Sequence, residues 1–172
     1  MEPFVATADL CDAAGTRIAM HHAIRPVWRG ARVAGPAYTV RTPAGEFQAV
    51  GEAAKRAPAG TVIVVAGGGE VGCALWGDKM SKLALERGVA GLIVDGAVRD
   101  VDGIEALGFP VFAAAIVPTP PARERDGELD VPITCGGLAV NPGDYVYGDA
   151  DGVVVVPAEL HDEILGRLAR SS

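Results

Sequence analysis

A chain of 172 residues with 49% apolar and 22% charged side chains is long enough to bury the core of one domain. Its 23 glycines and 12 prolines sit within that globular composition, which excludes disordered and collagen-like classes. A formal net charge of −7 without a Lys/Arg cluster argues against nucleic acid, and apolar runs no longer than a strand argue against a membrane span.

In chain order, "ATADLCDAAG" predicts a short helix stopped at Gly15, and "RVAGPAYTVRTP" predicts extended chain punctuated by Gly35-Pro36. "EFQAVGEAAKRA" places Phe47, Val50 and Ala54 at helical spacing before "APAG" ends it. "TVIVVA" (61–66) is a continuous β-branched run, expected of a strand buried on both faces. "GGGEVG" then reads as a tight strand-to-helix turn, followed by a helical segment through Arg87 and a stop at Gly88. "AGLIVD" (90–95) is a second buried strand, "VDGIEALG" a short helix, and "PVFAAAI" (110–116) a third strand. Beyond Pro118, Pro, Gly and alternating segments predict antiparallel strands and tight turns. "AELHDEILGRLARSS" predicts a closing helix with Leu160, Ile164, Leu165 and Leu168 on one side. The class is α/β, with a helix-flanked central unit and a β-rich second half. No basic segment leading into an apolar stretch opens the chain, so no secretory signal is expected.

The stretch "GDKMSKLALERGVAGLIVDGAVRD" (77–100) carries the chemistry. Asp78 opens a helix and Arg99-Asp100 close the following strand. A helix of about nine residues advances about 14 Å. A strand of about six advances about 18 Å, and Gly88 reverses direction between the two. Asp78, Arg99 and Asp100 are therefore expected to converge at the carboxyl edge of a parallel sheet, where α/β proteins bind ligands. The amides of Lys79 and Met80 would lie at a helix N-terminus suited to a carboxylate. Arg99 can offer two parallel donors to the same class of ligand. Asp100 is a hard oxygen ligand suited to Mg²⁺ or Mn²⁺, and Asp78 can hold a water that shuttles a proton. Taken alone, Asp78 reads equally well as a helix N-cap, and Arg99-Asp100 as a surface ion pair.

Other features compete. Gly67, Gly69 and Gly72 satisfy G-x-G-x-x-G after a strand, with Asp95 at the place of a ribose-binding acid. The sixty or so residues ahead of that strand and the β-rich second half argue against a dinucleotide fold. Cys11, Cys73 and Cys135 form no CxxC pair and read as single buried thiols of a reduced cytoplasm. His21, His22 and His161 have no metal-ligand spacing, Trp76 either lines the pocket mouth or packs under the helix, and "ARERDGELD" reads as a solvated loop.

The quoted stretch, with "PVFA" after it, resembles the class II pyruvate aldolases that act on 4-hydroxy-4-methyl-2-oxoglutarate and 4-carboxy-4-hydroxy-2-oxoadipate. It also resembles their relatives, the RraA regulators of ribonuclease activity. The family's D-x20-R-D signature is present as Asp78, Arg99 and Asp100. The resemblance implies one swivelling β/β/α domain over 1–172, forming cytoplasmic trimers or hexamers with sites at subunit interfaces. It implies Mg²⁺ or Mn²⁺ held through Asp100, and proton transfer assisted by Asp78. It also implies a small 2-oxo acid gripped by Arg99 and by Gly77, Asp78, Lys79 and Met80. Cleavage would give pyruvate, and oxaloacetate decarboxylation would pass through the same enolate. The regulators generally lack the second acid of the signature, so Asp100 favours the enzyme over a non-catalytic regulator that binds a ribonuclease or RNA helicase. The chain departs from the best-known aldolases in length, and in carrying Ala66 where an acid is common.

Overall fold

The structure is a computed structural model that describes residues 4–171; Ser172, at the end of the expected closing helix, and residues 1–3 lie outside the described residues. Four parallel strands form its centre: β2 (Val33–Arg41), β3 (Val62–Trp76), β4 (Gly91–Val98) and β5 (Val111–Ile116). β1 (Arg25–Pro26) borders β5 antiparallel, and β6 (Glu128–Leu129) pairs with β2. On the edge of β2 away from β3, which β6 shares, the hairpin of β9 (Tyr145–Asp149) and β10 (Gly152–Val156) continues the sheet in antiparallel sense. A separate hairpin, β7 (Ile133–Cys135) and β8 (Leu138–Val140), lies off it.

The β-branched runs explain the centre. Val62 to Val65 and Leu92 to Val94 have no exposed surface, because both faces of the sheet are covered. Burying each such side chain contributes about 1.5–3 kcal/mol. One face packs on α2 (Gln48–Arg56), α3 (Asp78–Glu86) and α4 (Val101–Leu107). The other packs on Met20, Ile24 and the β7–β8 hairpin. α1 (Thr7–Ala14) and α5 (His161–Ser171) share a third cluster over β9 and β10, through Leu10, Tyr147, Val154 and Ile164. Leu165 and Leu168 join that cluster, whereas Leu160 precedes the helix in a 3-10 turn and is exposed. This is the swivelling β/β/α arrangement expected from the resemblance.

The glycine run differs from expectation. β3 does not turn into a helix at Gly67; it continues to Trp76, with register shifts against β4 after Val65, Glu70 and Ala74. Gly68 and Gly69 take φ values of 68° and 73°, which side-chain-bearing residues seldom adopt. A Cβ at Gly67 would lie 2.5 Å from the Asp95 carbonyl oxygen, so glycine lets the bulged strand approach β4. The carboxylate of Asp95 accepts the Gly136 N–H at 3.2 Å. The helix starts only at Asp78, so the glycines form no dinucleotide-binding turn.

The cysteines also depart from the reading as buried thiols. Cys135 is buried, while Cys11 and Cys73 are half-buried. Burial pushes the Cys135 thiol far above its usual range. Among the described residues, no helix is long and apolar enough to cross a membrane.

α1 is fastened to the sheet by Asp149, whose carboxylate accepts the Thr7 N–H at 2.9 Å, the Thr7 hydroxyl at 2.8 Å and the Asp151 N–H at 2.9 Å. Burial by itself would raise this carboxyl, but hydrogen bonds from Thr7, Asp151 and Gly152 outweigh it and hold it below its usual range. A depressed folded value stabilises the fold above the unfolded pKa of about 3.9 and is lost as pH falls through the folded value. Asp149→Asn should cost about 1–3 kcal/mol at pH 7. It should also flatten the acid limb of a urea-midpoint titration between neutral pH and pH 3.

Candidate active site

β3, β4 and β5 end together, with Trp76 opposite Val98 and Val98 opposite Ile116. The residues that follow these ends build the site. Arg99 is tied to the end of β3 by its N–H, which donates to the Trp76 carbonyl at 2.9 Å. The Trp76 indole N–H donates to Ser81 Oγ at 2.7 Å, and the Ser81 hydroxyl donates to the Gly77 carbonyl at 3.1 Å. Trp76 is thus buried under α3, stacked near Phe109, and also reaches the cavity. Both expectations for it hold.

A cavity of about 420 Å³ opens at this edge. Asp78, Arg99 and Asp100 all line it, together with Gly77, Lys79 and Met80. The twenty-residue excursion therefore closes as its length required. α3 begins at Asp78, after an extended Gly77, and the first intrahelical N–H bond is Ser81 to Gly77 at 3.1 Å. The amides of Asp78, Lys79 and Met80 precede that bond and have no helical carbonyl to serve, an arrangement that suits an anion. Asp78 is the first helical residue and makes no capping hydrogen bond, so the N-cap reading does not apply.

Asp100 occupies the N-cap place of α4, yet its side chain makes no capping bond either. Its backbone is left-handed, with φ 58° and ψ 40°, a conformation that costs an ordinary residue about 1–3 kcal/mol and that Asp tolerates better than most. The result is a carboxylate at the cavity with no structural duty in the helix. Arg99 Nε stands 3.5 Å from Asp100 Oδ2, with the two side chains 40% and 46% exposed. A pair so exposed contributes at most about 1 kcal/mol and does not account for the strain beside it.

Two glycines make room for the acids. A Cβ at Gly77 would lie 2.7 Å from Asp100 Oδ2. One at Gly103 would lie 2.9 Å from Asp78 Cβ and 3.0 Å from its Oδ2.

Reading the sequence alone missed five wall residues: Phe47, Ala74, Leu75, Pro121 and Arg123. Arg123 lies over the Phe47 ring at 4.5 Å from its centroid. The "ARERDGELD" run is largely exposed as expected, but its Arg123 also lines the cavity. Its two arginines within an acidic chain were the available signal. With Lys79, Arg99 and Arg123, the cavity gathers cations against the net charge of −7.

Among the described residues, no three His, Cys, Asp or Glu side chains cluster to hold a metal ion. The donor set does not fit a metal caged by protein alone. The exposed carboxylate of Asp100, in an open cavity, fits a hard divalent cation that keeps waters and shares oxygens with a substrate. His21 and His22 are exposed, and His161 Nε2 pairs with the Tyr147 hydroxyl at 2.7 Å.

Fold and site together define an α/β protein with a cavity lined by Lys79, Arg99 and Arg123 at the carboxyl edge of its parallel strands. The chain belongs to the RraA-like family (Aldolase/RraA), which it matches over residues 7–155. It is 36% identical over 161 residues to a Halalkalibacterium halodurans protein named "Putative 4-hydroxy-4-methyl-2-oxoglutarate aldolase", a match covering 94% of this chain and 77% of the relative. The solved structure of the RNA-processing inhibitor RraA from Thermus thermophilis superposes with TM-score 0.81 at 34% identity, covering 91% of this chain and 94% of that one. A Geobacillus kaustophilus structure named S-adenosylmethionine: 2-dimethylmenaquinone methyltransferase superposes with TM-score 0.83 at 37% identity, covering 92% and 98%. Three activities are attached to one fold, so the site must choose among them.

Proposed function

We propose that this protein is a divalent-metal-dependent lyase that cleaves 4-hydroxy-4-methyl-2-oxoglutarate or 4-carboxy-4-hydroxy-2-oxoadipate to pyruvate and decarboxylates oxaloacetate. The observation that carries the reading is the meeting of Arg99, two carboxylates and the unpaired first-turn amides of α3 on one cavity. The amides of Asp78, Lys79 and Met80 bind the carboxylate of the 2-oxo acid. Arg99 donates to the C2 oxygen, where negative charge grows as the C3–C4 bond breaks and its electron pair forms the pyruvate enolate. Asp78, directly or through a water, takes the C4 hydroxyl proton, and a proton delivered to C3 completes pyruvate. With oxaloacetate the C4 carboxylate leaves as CO₂ and the same enolate is protonated. A Mg²⁺ or Mn²⁺ ion held through Asp100 supplies Lewis-acid polarisation of the 2-oxo group when bound.

The cations of the cavity suit anionic 2-oxo acids. The exposed Val71, in the bulged part of β3, and Ile116, at the end of β5, suit burial between subunits of a cytoplasmic homotrimer or hexamer. Pyruvate release from oxaloacetate and from 4-hydroxy-4-methyl-2-oxoglutarate should require Mg²⁺ or Mn²⁺ and stop with EDTA. Asp100→Ala should raise the metal concentration for half-maximal rate on the order of tenfold or more, with partial recovery at high Mg²⁺, as expected when one ligand of an ion is lost. Metal-independent turnover, or an Asp100→Ala protein with an unchanged metal titration, contradicts the reading. Silence on every 2-oxo acid, with capture of RNA-degradation proteins instead, favours the inhibitor role named for the Thermus relative.

A further inference from the structure

Glu46 is the most enclosed acid near the site, its side chain only 4% exposed. It lies between β2 and α2, and none of the chemistry above uses it. Its Oε2 accepts the N–H of Glu124 at 2.9 Å and of Arg125 at 3.2 Å, and its Oε1 accepts Arg125 Nε at 3.1 Å. The two main-chain donors, followed by the Arg125 guanidinium, hold the carboxyl below its usual range. The same loop is stitched to residues 45–47 by Ala122 N–H to the Gly45 carbonyl at 2.8 Å and Phe47 N–H to the Ala122 carbonyl at 3.0 Å. Between these ties sits Arg123, its guanidinium on Phe47 and in the cavity wall.

We infer that Glu46 is a positioning residue: its carboxylate anchors the loop through Arg125 so that Arg123 stands as a second guanidinium on the cavity that holds Arg99. The pairing is directional. Removing the carboxylate takes the acceptor from two main-chain N–H groups and leaves Arg125 with only its 3.4 Å bond to the Ala44 carbonyl, all on the loop side, while the ends of β3 and β4 that carry Asp78, Arg99 and Asp100 keep their own ties. Loss of Glu46 therefore lowers the affinity of the cavity for anions and leaves the reacting groups in place. The inference rests on the reading of the cavity as a 2-oxo acid site for its kinetic consequence, though not for the anchoring itself.

The experiment pairs amide hydrogen exchange with kinetics on full-length Glu46→Ala and Glu46→Gln proteins. Exchange at Glu124 and Arg125 should quicken strongly in Glu46→Ala and less in Glu46→Gln, whose amide oxygen still accepts. With oxaloacetate and Mg²⁺, KM should rise on the order of tenfold in Glu46→Ala, as for one displaced charged contact, with kcat little changed and Glu46→Gln in between. Unchanged exchange in folded Glu46→Ala overturns the anchor. Quickened exchange with KM unmoved, or with kcat falling in place of KM, overturns the positioning role. If the wild type turns over no 2-oxo acid, the aldolase reading falls, and the exchange result alone decides the anchor.

Discussion

Arg99→Ala should lower kcat for pyruvate release on the order of 10²–10³-fold, the range for deleting one donor to a developing oxyanion. The fold should barely notice. The side chain is 40% exposed and its recorded ionic partner, Asp100, is exposed as well, so the loss of stability should stay under about 1 kcal/mol. The tie between β4 and β3 is made by the Arg99 main-chain N–H, which alanine keeps. Arg99→Lys should not restore the rate, because an ammonium cannot reproduce two parallel donors held in one plane. Steady-state kinetics beside a urea-midpoint comparison separates the two quantities. A folded Arg99→Ala protein with near wild-type turnover removes the centre of the proposed chemistry.

The parts of this site that were legible in the sequence depend on local lengths. α3 is nine residues and β4 is eight, so the return from Asp78 to Arg99 follows from element geometry once Gly88 reverses the chain at φ 79°. The continuous burial of β3 and β4 was legible for the same reason, since uninterrupted β-branched runs suit strands covered on both faces. The glycines at 67–69 were not, because a turn and a bulge use the same residues. What separates them is the approach of β4, shown by the contact between Gly67 and the Asp95 carbonyl. The outer wall was hidden by distance along the chain. Arg125 and Glu46 are 79 residues apart, and nothing in the charge run itself names its partner. The left-handed Asp100 was equally silent, since any strand-to-helix link of that length can be written with ordinary backbone.

Gly103→Ala sets helix propensity against packing most sharply. Gly103 is inside α4, where alanine is favoured over glycine by about 0.8–1 kcal/mol, so propensity alone expects a more stable protein and normal turnover. The added methyl, however, would sit 2.9 Å from Asp78 Cβ and 3.0 Å from its Oδ2. Cβ atoms do not approach so closely, and Asp78 Cβ is fixed to the α3 backbone; α4 is held against the sheet by the buried Ile104, so the first turn of α3 shifts and carries the Asp78 carboxylate with it. A displacement near 1 Å at a group that handles a proton costs on the order of 10²-fold in rate. The expected protein therefore unfolds at lower urea than wild type, because overpacking costs about 1–3 kcal/mol and outweighs the helix-propensity gain, while its kcat drops and its metal titration through Asp100 is unchanged. Gly103→Ala with full activity would mean either that Asp78 handles no proton or that α4 moves in its place. A crystal structure of the variant, showing which of the two shifted, distinguishes a failed assignment of Asp78 from a helix more compliant than its burial implies.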